Sequence, residues 1–351
     1  MKMRIAIDAM GGDYAPRETV KGAVLAAKEY AEDSDIILIG DKDAIRDRLS
    51  HEKTTFPDME IINAPDLIQM HESPAKAIKN KPNSSISIGT KLQKSGEIDA
   101  FVSAGNTGVV YASALMNLKR IKGVRRPTIG AYLPTENKGT TIFDAGANPN
   151  CRPLHLLQFG IMGSIYVEHI FGWKNPSVGL LNIGVEASKG NEMALESFQL
   201  LSEFLPNFYG NVEGRDILVG KVEVVVCDGF VGNILIKFAE SIYELLKSKT
   251  RLHMRNRPFA KLGALMMLPA IKKLKKDLDY QEYGGVPLLG VNGVSIIGHG
   301  HSSHIAIKNA IRVARRMVRG KINDHIQEKI EELNVSKPKV TMEASLDELT
   351  K

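Results

Sequence analysis

Four times along this chain a short apolar run breaks into a polar, glycine-bearing loop: residues 5–16 (IAIDAMGGDYAP), 100–108 (AFVSAGNTG), 141–148 (TIFDAGAN) and 224–233 (VVVCDGFVGN). In an open α/β sheet, ligands are held outside the carboxyl ends of the strands, where small residues let the backbone approach a substrate and the next helix begins. The pattern predicts an active site built from these four loops. Strand signals fall at 4–8, 35–39, 59–63, 100–103, 128–132, 140–143, 177–182 and 222–226, and helix-length segments at 17–29, 84–94, 107–118, 155–171 and 191–203 lie between most of them. That alternation predicts an α/β fold, a mainly parallel sheet with helices on both faces.

Past Asn233 the rhythm changes. Residues 233–280 read as largely helical, with Phe238, Ile242, Leu245 and Leu246 at one-face spacing, before Gly-rich loop character resumes over 283–290. A basic helix over 303–319, a helix over 322–333 and a polar, frayed tail containing Pro338 complete the chain. The expected organisation is a catalytic unit over 1–320, in one body or two lobes, with a helical membrane- or dimer-facing insertion at about 233–280, followed by a helix and tail over 321–351.

With 351 residues and 43% hydrophobic content the chain can bury a large core. A net charge of +6 is small beside 46 Lys+Arg and 40 Asp+Glu, which argues against a uniformly cationic nucleic-acid binder. Cys151 and Cys227 stand far apart without paired spacing, so neither a disulfide framework nor a zinc site is predicted and a reducing cytosol fits. No apolar h-region opens the chain, so a secretory signal is not expected. No apolar run approaches the roughly 20 residues that span a bilayer.

Each loop carries its own chemistry. In GGDYAP, Gly11 and Gly12 permit a tight turn while Asp8 and Asp13 place carboxylates at the sheet end, although a plain turn with a capping Asp explains the same residues. The spacing is not GxGxxG, and no GxxxxGKS/T sequence occurs, so neither dinucleotide nor P-loop binding is supported and no cofactor is expected. SAGNTG offers Ser103, Asn106 and Thr107 as hydrogen-bonding side chains, with Gly105 and Gly108 opening the backbone at a helix start suited to phosphate. DAGAN adds Asp144 and Asn148. NIGVEASKGNE brings Glu186 and Lys189 beside Gly184 and Gly190. A loop lysine is ordinarily only solvated, but one flanked by glycine and asparagine has the charge that neutralises an oxyanion. DGFVGN frames Gly229 and Gly232 between Asp228 and Asn233. His299, His301 and His304 cluster in IIGHGHSSH without HExxH or an obvious carboxylate partner, so no metal is expected. His299 is the candidate phosphate or leaving-group contact, and His301 and His304 read as an exposed turn.

Taken in order, IAIDAMGGDYAP, SAGNTG, RPTIGAYLPT, DAGAN, LLNIGVEASKGNE, GNVEGRD, VVVCDGFVGN and the YGG to GHG stretch resemble the PlsX-type phosphate acyltransferases, bacterial enzymes of phospholipid synthesis. Variation at His301, His304 and 151–153 leaves the class untouched. The resemblance implies a three-layer α/β/α fold similar to the isopropylmalate dehydrogenase-like and phosphotransacetylase enzymes. It implies that inorganic phosphate attacks the thioester of a long-chain acyl carrier protein, giving acyl phosphate for a downstream glycerol-phosphate acyltransferase. Direct attack needs no acyl-enzyme. Lys189 is the first candidate for charge stabilisation or protonation, with Asn233 and Asn106 as hydrogen-bonding partners. The loops contribute Asp8, Gly11, Gly12, Ser103, Gly105, Asn106, Thr107, Gly108, Asp144, Asn148, Glu186, Asp228 and Gly232 to substrate binding. A homodimer is implied, in the cytoplasm and peripherally on the anionic inner face of the plasma membrane. There Leu265, Met266 and Met267, followed by Lys272 and Lys273, supply an apolar and basic contact. Packing in a dimer interface explains those apolar residues equally well. A phosphotransacetylase acting on short-chain acyl-CoA, a nicotinamide-dependent dehydrogenase and a non-catalytic membrane scaffold are the rival readings.

Overall fold

The computed structural model describes residues 2–52, 55–255, 266–270, 273 and 283–336. The chain begins with β1 (Met3–Asp8), α1 (Arg17–Glu29), β2 (Ser34–Gly40), α2 (Lys42–Ser50), β3 (Ile61–Asn63), α3 (Pro74–Asn80), α4 (Ser85–Ser95), β4 (Ala100–Ser103) and α5 (Thr107–Asn117). A hairpin follows, β5 (Thr128–Leu133) and β6 (Thr140–Phe143), then α6 (Pro153–Phe171), β7 (Val178–Leu181), α7 (Glu192–Phe204), β8 (Phe208–Val212), α8 (Gly214–Val219), β9 (Val224–Val226) and α9 (Gly229–Arg255). The last described elements are β10 (Val286–Leu289), β11 (Val294–Ile297), α10 (His304–Arg319) and α11 (Ile322–Ser336).

All eleven strands join one sheet in the order β3-β2-β1-β4-β11-β10-β5-β6-β9-β7-β8. The first five are mutually parallel, as are the last four. Between them, β11 with β10, β10 with β5 and β5 with β6 are antiparallel. Three reversals in succession turn the two parallel halves head to tail. The strand carboxyl ends of one half therefore lie on the opposite edge from those of the other.

Inner strands are apolar on both faces because both are covered. Ile5 and Ile7 of β1 enter one core while Ala6 enters the other, and Val102 and Phe101 of β4 divide the same way. In the second half Phe143 joins the larger core and Ile142 a smaller one with Val225 and Cys227. Full burial of an Ile or Phe side chain contributes about 1.5–3 kcal/mol. Phe143 is accommodated only because its neighbours are glycines: a Cβ on Gly130 would lie 2.2 Å from its ring, and one on Gly163 2.7 Å.

The predicted α/β class with a mainly parallel sheet is the observed one, and 17–29, 100–103 and 140–143 have the expected bounds. Residues 283–290 depart from expectation: Val286–Leu289 is a central strand rather than loop. Gly284 and Gly290, both at φ 91°, bracket it, and Pro287 interrupts its donors, features that ordinarily argue against a strand. Helix α9 starts at Gly229, so the end of DGFVGN is its first turns rather than a loop. In α11, Ile322, Ile326 and Ile330 are fully buried in the larger core, so this helix is integral to the main body. The tail around Pro338 lies outside the described residues.

Candidate functional site

The four glycine loops do not leave one sheet edge. They divide two and two, each pair organised by a buried aspartate at the end of an inner strand. In the first pair, Asp8 accepts from the Ser103 hydroxyl at 2.6 Å and the Met10 N–H at 3.1 Å, and Ser103 Oγ accepts from the Gly105 N–H at 3.0 Å. These bonds stitch the end of β1 to the end of β4. A side chain on Gly11 has no room, since a Cβ there would stand 2.4 Å from Asp8 Oδ2 and 2.7 Å from the Gly105 nitrogen. Gly12 adopts φ 102°, open to glycine at little cost. Burial pushes the Asp8 carboxyl up against the opposing pull of its donors.

Asn106 caps α5, its Oδ1 accepting from the Val109 N–H at 3.2 Å. Its amide donates to the Met70 and Glu72 carbonyls at 2.8 and 3.0 Å, strapping that loop over the first pair. Thr107 and Gly108 form the first turn beyond the cap, where helical N–H groups point outward. His299 follows β11 and joins this first pair. The carboxylate partners that the sequence concealed are present: His301 Nδ1 lies 3.2 Å from Asp13 Oδ2, and His304 bonds Glu18 through both Nδ1 (2.7 Å) and its backbone N–H (2.9 Å). Partners 286 positions apart leave no sequence signal. Among the described residues no group of three His, Cys, Asp or Glu side chains is placed to hold a metal.

In the second pair Asp144 is fully buried and accepts from the N–H groups of Ile129, Gly146, Ala147 and Asn148 and from the Asn148 amide, at 2.6–3.4 Å. Burial pushes this carboxyl up as well, opposed by the donors. Asn148 also donates to the Pro127 carbonyl at 2.7 Å. Its backbone carbonyl accepts from the Gly229 N–H at 2.8 Å, which docks the start of α9 on the DAGAN turn. Asp228 caps α9 by accepting from the Val231 N–H at 2.9 Å. Gly232 is obligatory: a Cβ there would lie 1.9 Å from the Asp144 carbonyl.

Asn233 differs from Asn106 and Asn148. Half-buried and against Gly146, its side chain has no hydrogen bond among the described residues, so its amide is available to a ligand. Lys189 and Glu186 are exposed on the loop after β7, and Lys189 has no ion pair among the described residues. Strand β7 pairs in parallel with β9, so this loop and the start of α9 leave the same edge. The same loops expose Ile183 (81%), Val185, Phe230 (62%) and Val231. His299, by contrast, follows a strand of the other half.

Helix α5 bridges the two pairs. Its cap belongs to the first, while its body shares a core with Ala145 and Ala147 of the second. Tyr111 on this helix lies beside Asp144, and Arg126 before β5 bears on Tyr111 and Cys151; sequence reasoning missed both, although Arg126 opens the RPTIGAYLPT segment. Burial pushes the Tyr111 phenol up, and Asp144 adds to the effect. Cys151 is pushed up to about 12 by burial and then by Asp144, and Cys227 well above its ordinary value by burial and then by Asp228 and Asp144. Neither thiol supplies thiolate near neutrality.

In the membrane-facing prediction, Leu265 and Lys272 lie outside the described residues, while Met266 (79% exposed), Met267 and Lys273 are on the surface. No helix among the described residues is long and apolar enough to cross a membrane.

The sheet and its covering helices are similar to a phosphotransacetylase from Streptococcus pyogenes, with a TM-score of 0.62 over 91% of this chain and 94% of that one at 17% identity. A branched-chain phosphotransacylase from Enterococcus faecalis matches with a TM-score of 0.55 over 90% and 99% at 13% identity. These likenesses define the class of fold, that of the phosphotransacylase-like α/β proteins. Residues 3–325 match the family model described as Fatty acid synthesis protein. The chain is 50% identical to a phosphate acyltransferase of Pelotomaculum thermopropionicum over 95% of its length and 96% of the relative's. It is 49% identical to one of Heliobacterium modesticaldum over 94% and 99%. The chain belongs to this family, that of the PlsX-type phosphate acyltransferases, and is an acyltransferase.

Proposed function

We propose that the chain transfers a long-chain fatty acyl group from the thioester of acyl carrier protein to inorganic phosphate. A phosphate oxygen attacks the thioester carbonyl, the tetrahedral oxyanion collapses, the C–S bond breaks and the thiolate takes a proton, leaving acyl phosphate and free carrier protein. Phosphate is a heavily hydrated nucleophile, so the protein's contribution is to orient it and stabilise the oxyanion. The observation that carries this reading is the pair Lys189 and Asn233. They stand on loops leaving one sheet edge, uncommitted to other partners among the described residues, where most polar groups of the glycine loops are spent on the fold. Lys189 stabilises the oxyanion or protonates the leaving thiolate, and Asn233 hydrogen-bonds the substrate. Exposed Ile183, Val185 and Phe230 give an acyl chain an apolar approach. With both thiols pushed up, direct attack without an acyl-enzyme is favoured. His299 contacts an anion within the first loop pair.

The protein works as a homodimer on the cytoplasmic face of an anionic membrane and hands acyl phosphate to a glycerol-phosphate acyltransferase. In support, α9 exposes Ile234, Phe238, Ile242, Leu245, Leu246 and Leu252, an apolar stripe fit for a partner helix. Met266, Met267 and Lys273 add an apolar and basic surface beyond it.

Hydroxylamine trapping of acyl phosphate from palmitoyl-carrier protein, with and without phosphate and with palmitoyl-CoA as competing donor, tests the reaction. Phosphate-dependent product from the carrier donor is expected. Preference for CoA would make the enzyme a phosphotransacetylase, and no product from either donor would overturn the reading.

A further inference from the structure

Between α5 and β5 the chain reads LKRIKGVRR over 118–126, with Lys119, Arg120, Lys122, Arg125 and Arg126 and no acidic residue. The segment has a defined shape. Leu118, Ile121 and Val124 are buried beneath it, the Ile121 N–H bonds the Gly290 carbonyl at 3.0 Å, and the Gln158 side chain holds the Arg125 N–H and the Gly123 carbonyl at 2.8 and 2.9 Å. Lys119, Arg120, Lys122 and Arg126 are exposed. Lys122 reaches Glu331 at 3.8 Å, whereas the side chains of Lys119 and Arg126 have no hydrogen bond or ion pair among the described residues, the Lys119 carbonyl alone accepting from the Asn292 N–H at 3.0 Å.

This cationic ridge adjoins the second loop pair. Arg126 precedes Pro127, whose carbonyl takes the Asn148 amide that also binds Asp144. Arg120 and Arg126 both bear on the Tyr111 phenol beside Asp144. We propose that residues 119–126 form the docking surface for an acidic acyl-donor protein, with Arg126 the cation of the ridge set against the Asp144 turn. The proposal rests on the carrier-protein reading above and assigns that partner a place. Charge complementarity of this kind steers an acidic protein and sets its orientation. A bilayer is the poorer match, because interfacial binding needs apolar side chains to insert and those of this segment face the core.

The test compares palmitoyl-carrier protein with palmitoyl-pantetheine, an uncharged donor with the same thioester, in the wild type and in Lys119→Gln/Arg126→Gln. Preference for the carrier donor, as a ratio of kcat/KM values, should fall about tenfold in the double variant, and its salt dependence should flatten. The charge-reversed Lys119→Glu/Arg126→Glu should fall further, with thermal melting confirming that both variants are folded. An unchanged ratio and salt dependence would overturn the proposal, as would unchanged preference with weakened sedimentation on anionic phospholipid vesicles. Should the wild type turn over neither donor, the acyltransfer reading falls. Fluorescence anisotropy of labelled carrier protein then decides the docking surface: weaker binding to the double variant upholds it, and equal binding overturns it.

Discussion

Asp8 and Asp144 occupy matching places in the two halves of the sheet, each buried at the end of an inner strand and each followed by alanine. Asp8 joins strand to strand through the rotatable Ser103 hydroxyl, its own loop is pinned to the histidine turn through Asp13, and Asn106 is spent on the Met70 loop. Asp144 closes its own five-residue turn with fixed backbone donors and thereby seats the start of α9. The polar groups of the first half are largely consumed by the fold. The second half uses one carboxylate to organise its turn and leaves Lys189 and Asn233 available. A glycine loop at a strand end is thus not in itself a source of free polar side chains, and what separates the two halves is which side chains remain uncommitted.

Activity should separate the two halves most strongly. Lys189→Ala and Asn233→Ala should each lower kcat by about 10²-fold or more without loss of folding, the scale of losing an oxyanion donor. Ser103→Ala should lower kcat far less and act mainly on stability. Equal kcat losses in trapping assays would erase the distinction between the halves.

Stability separates the two aspartates. Asp144→Asn turns an NH₂ toward N–H donors that cannot reverse, and should cost about 3 kcal/mol in urea unfolding. Asp8→Asn can keep its oxygen on the Met10 N–H and turn its NH₂ to the Ser103 hydroxyl, which can rotate to accept, and should cost about 1 kcal/mol. An effect of the same order is expected where the halves agree. Gly163→Ala meets Phe143 at 2.7 Å and Gly89→Ala meets Phe101 at 2.2 Å, so each should cost about 1–3 kcal/mol, read as a lower urea midpoint at unchanged m-value. If only one did so, the packing of the two halves would differ more than their shared device implies.

The smallest effect belongs to the outer face of the first half. Arg315, through hydrogen bonding, and then Ser34 and Arg319 hold Asp33 down to about 2, from an ordinary 3.8. A carboxyl lowered in the folded state stabilises fully above its unfolded value and loses that contribution as pH falls from about 4 through about 2. Asp33→Asn should flatten that part of a Tm against pH profile. Asp8 and Asp144, raised by burial, act in the opposite sense: their contribution declines as pH rises above 3.8 toward their folded values.

Much of this was legible in the residue order. The 100–103 and 140–143 strands and the 17–29 helix stood out because an apolar run or amphipathic period ended in its own cap or turn. The DAGAN turn was legible for the same local reason, since the carboxylate and its donors lie within five residues. Strand β10 was hidden because its glycine and proline context matches a loop, and only pairing with β11 and β5 makes it a strand. The His301–Asp13 and His304–Glu18 pairs, and the commitment of Asn106 to the Met70 loop, were hidden because their partners lie far away along the chain.

By itself the sequence determined the α/β class, the strand-end glycine turns and the family, because each rests on short-range pattern or on motifs in fixed order. Tertiary structure alone decided that the two parallel halves run head to tail, that the four loops separate into two pairs bridged by α5, and that Lys189 and Asn233 are left free where Asn106 and Asn148 are not. The reason is physical: strand order and direction are set by pairings between distant segments, and a polar side chain is available for chemistry only if no distant partner has already taken its hydrogen bonds.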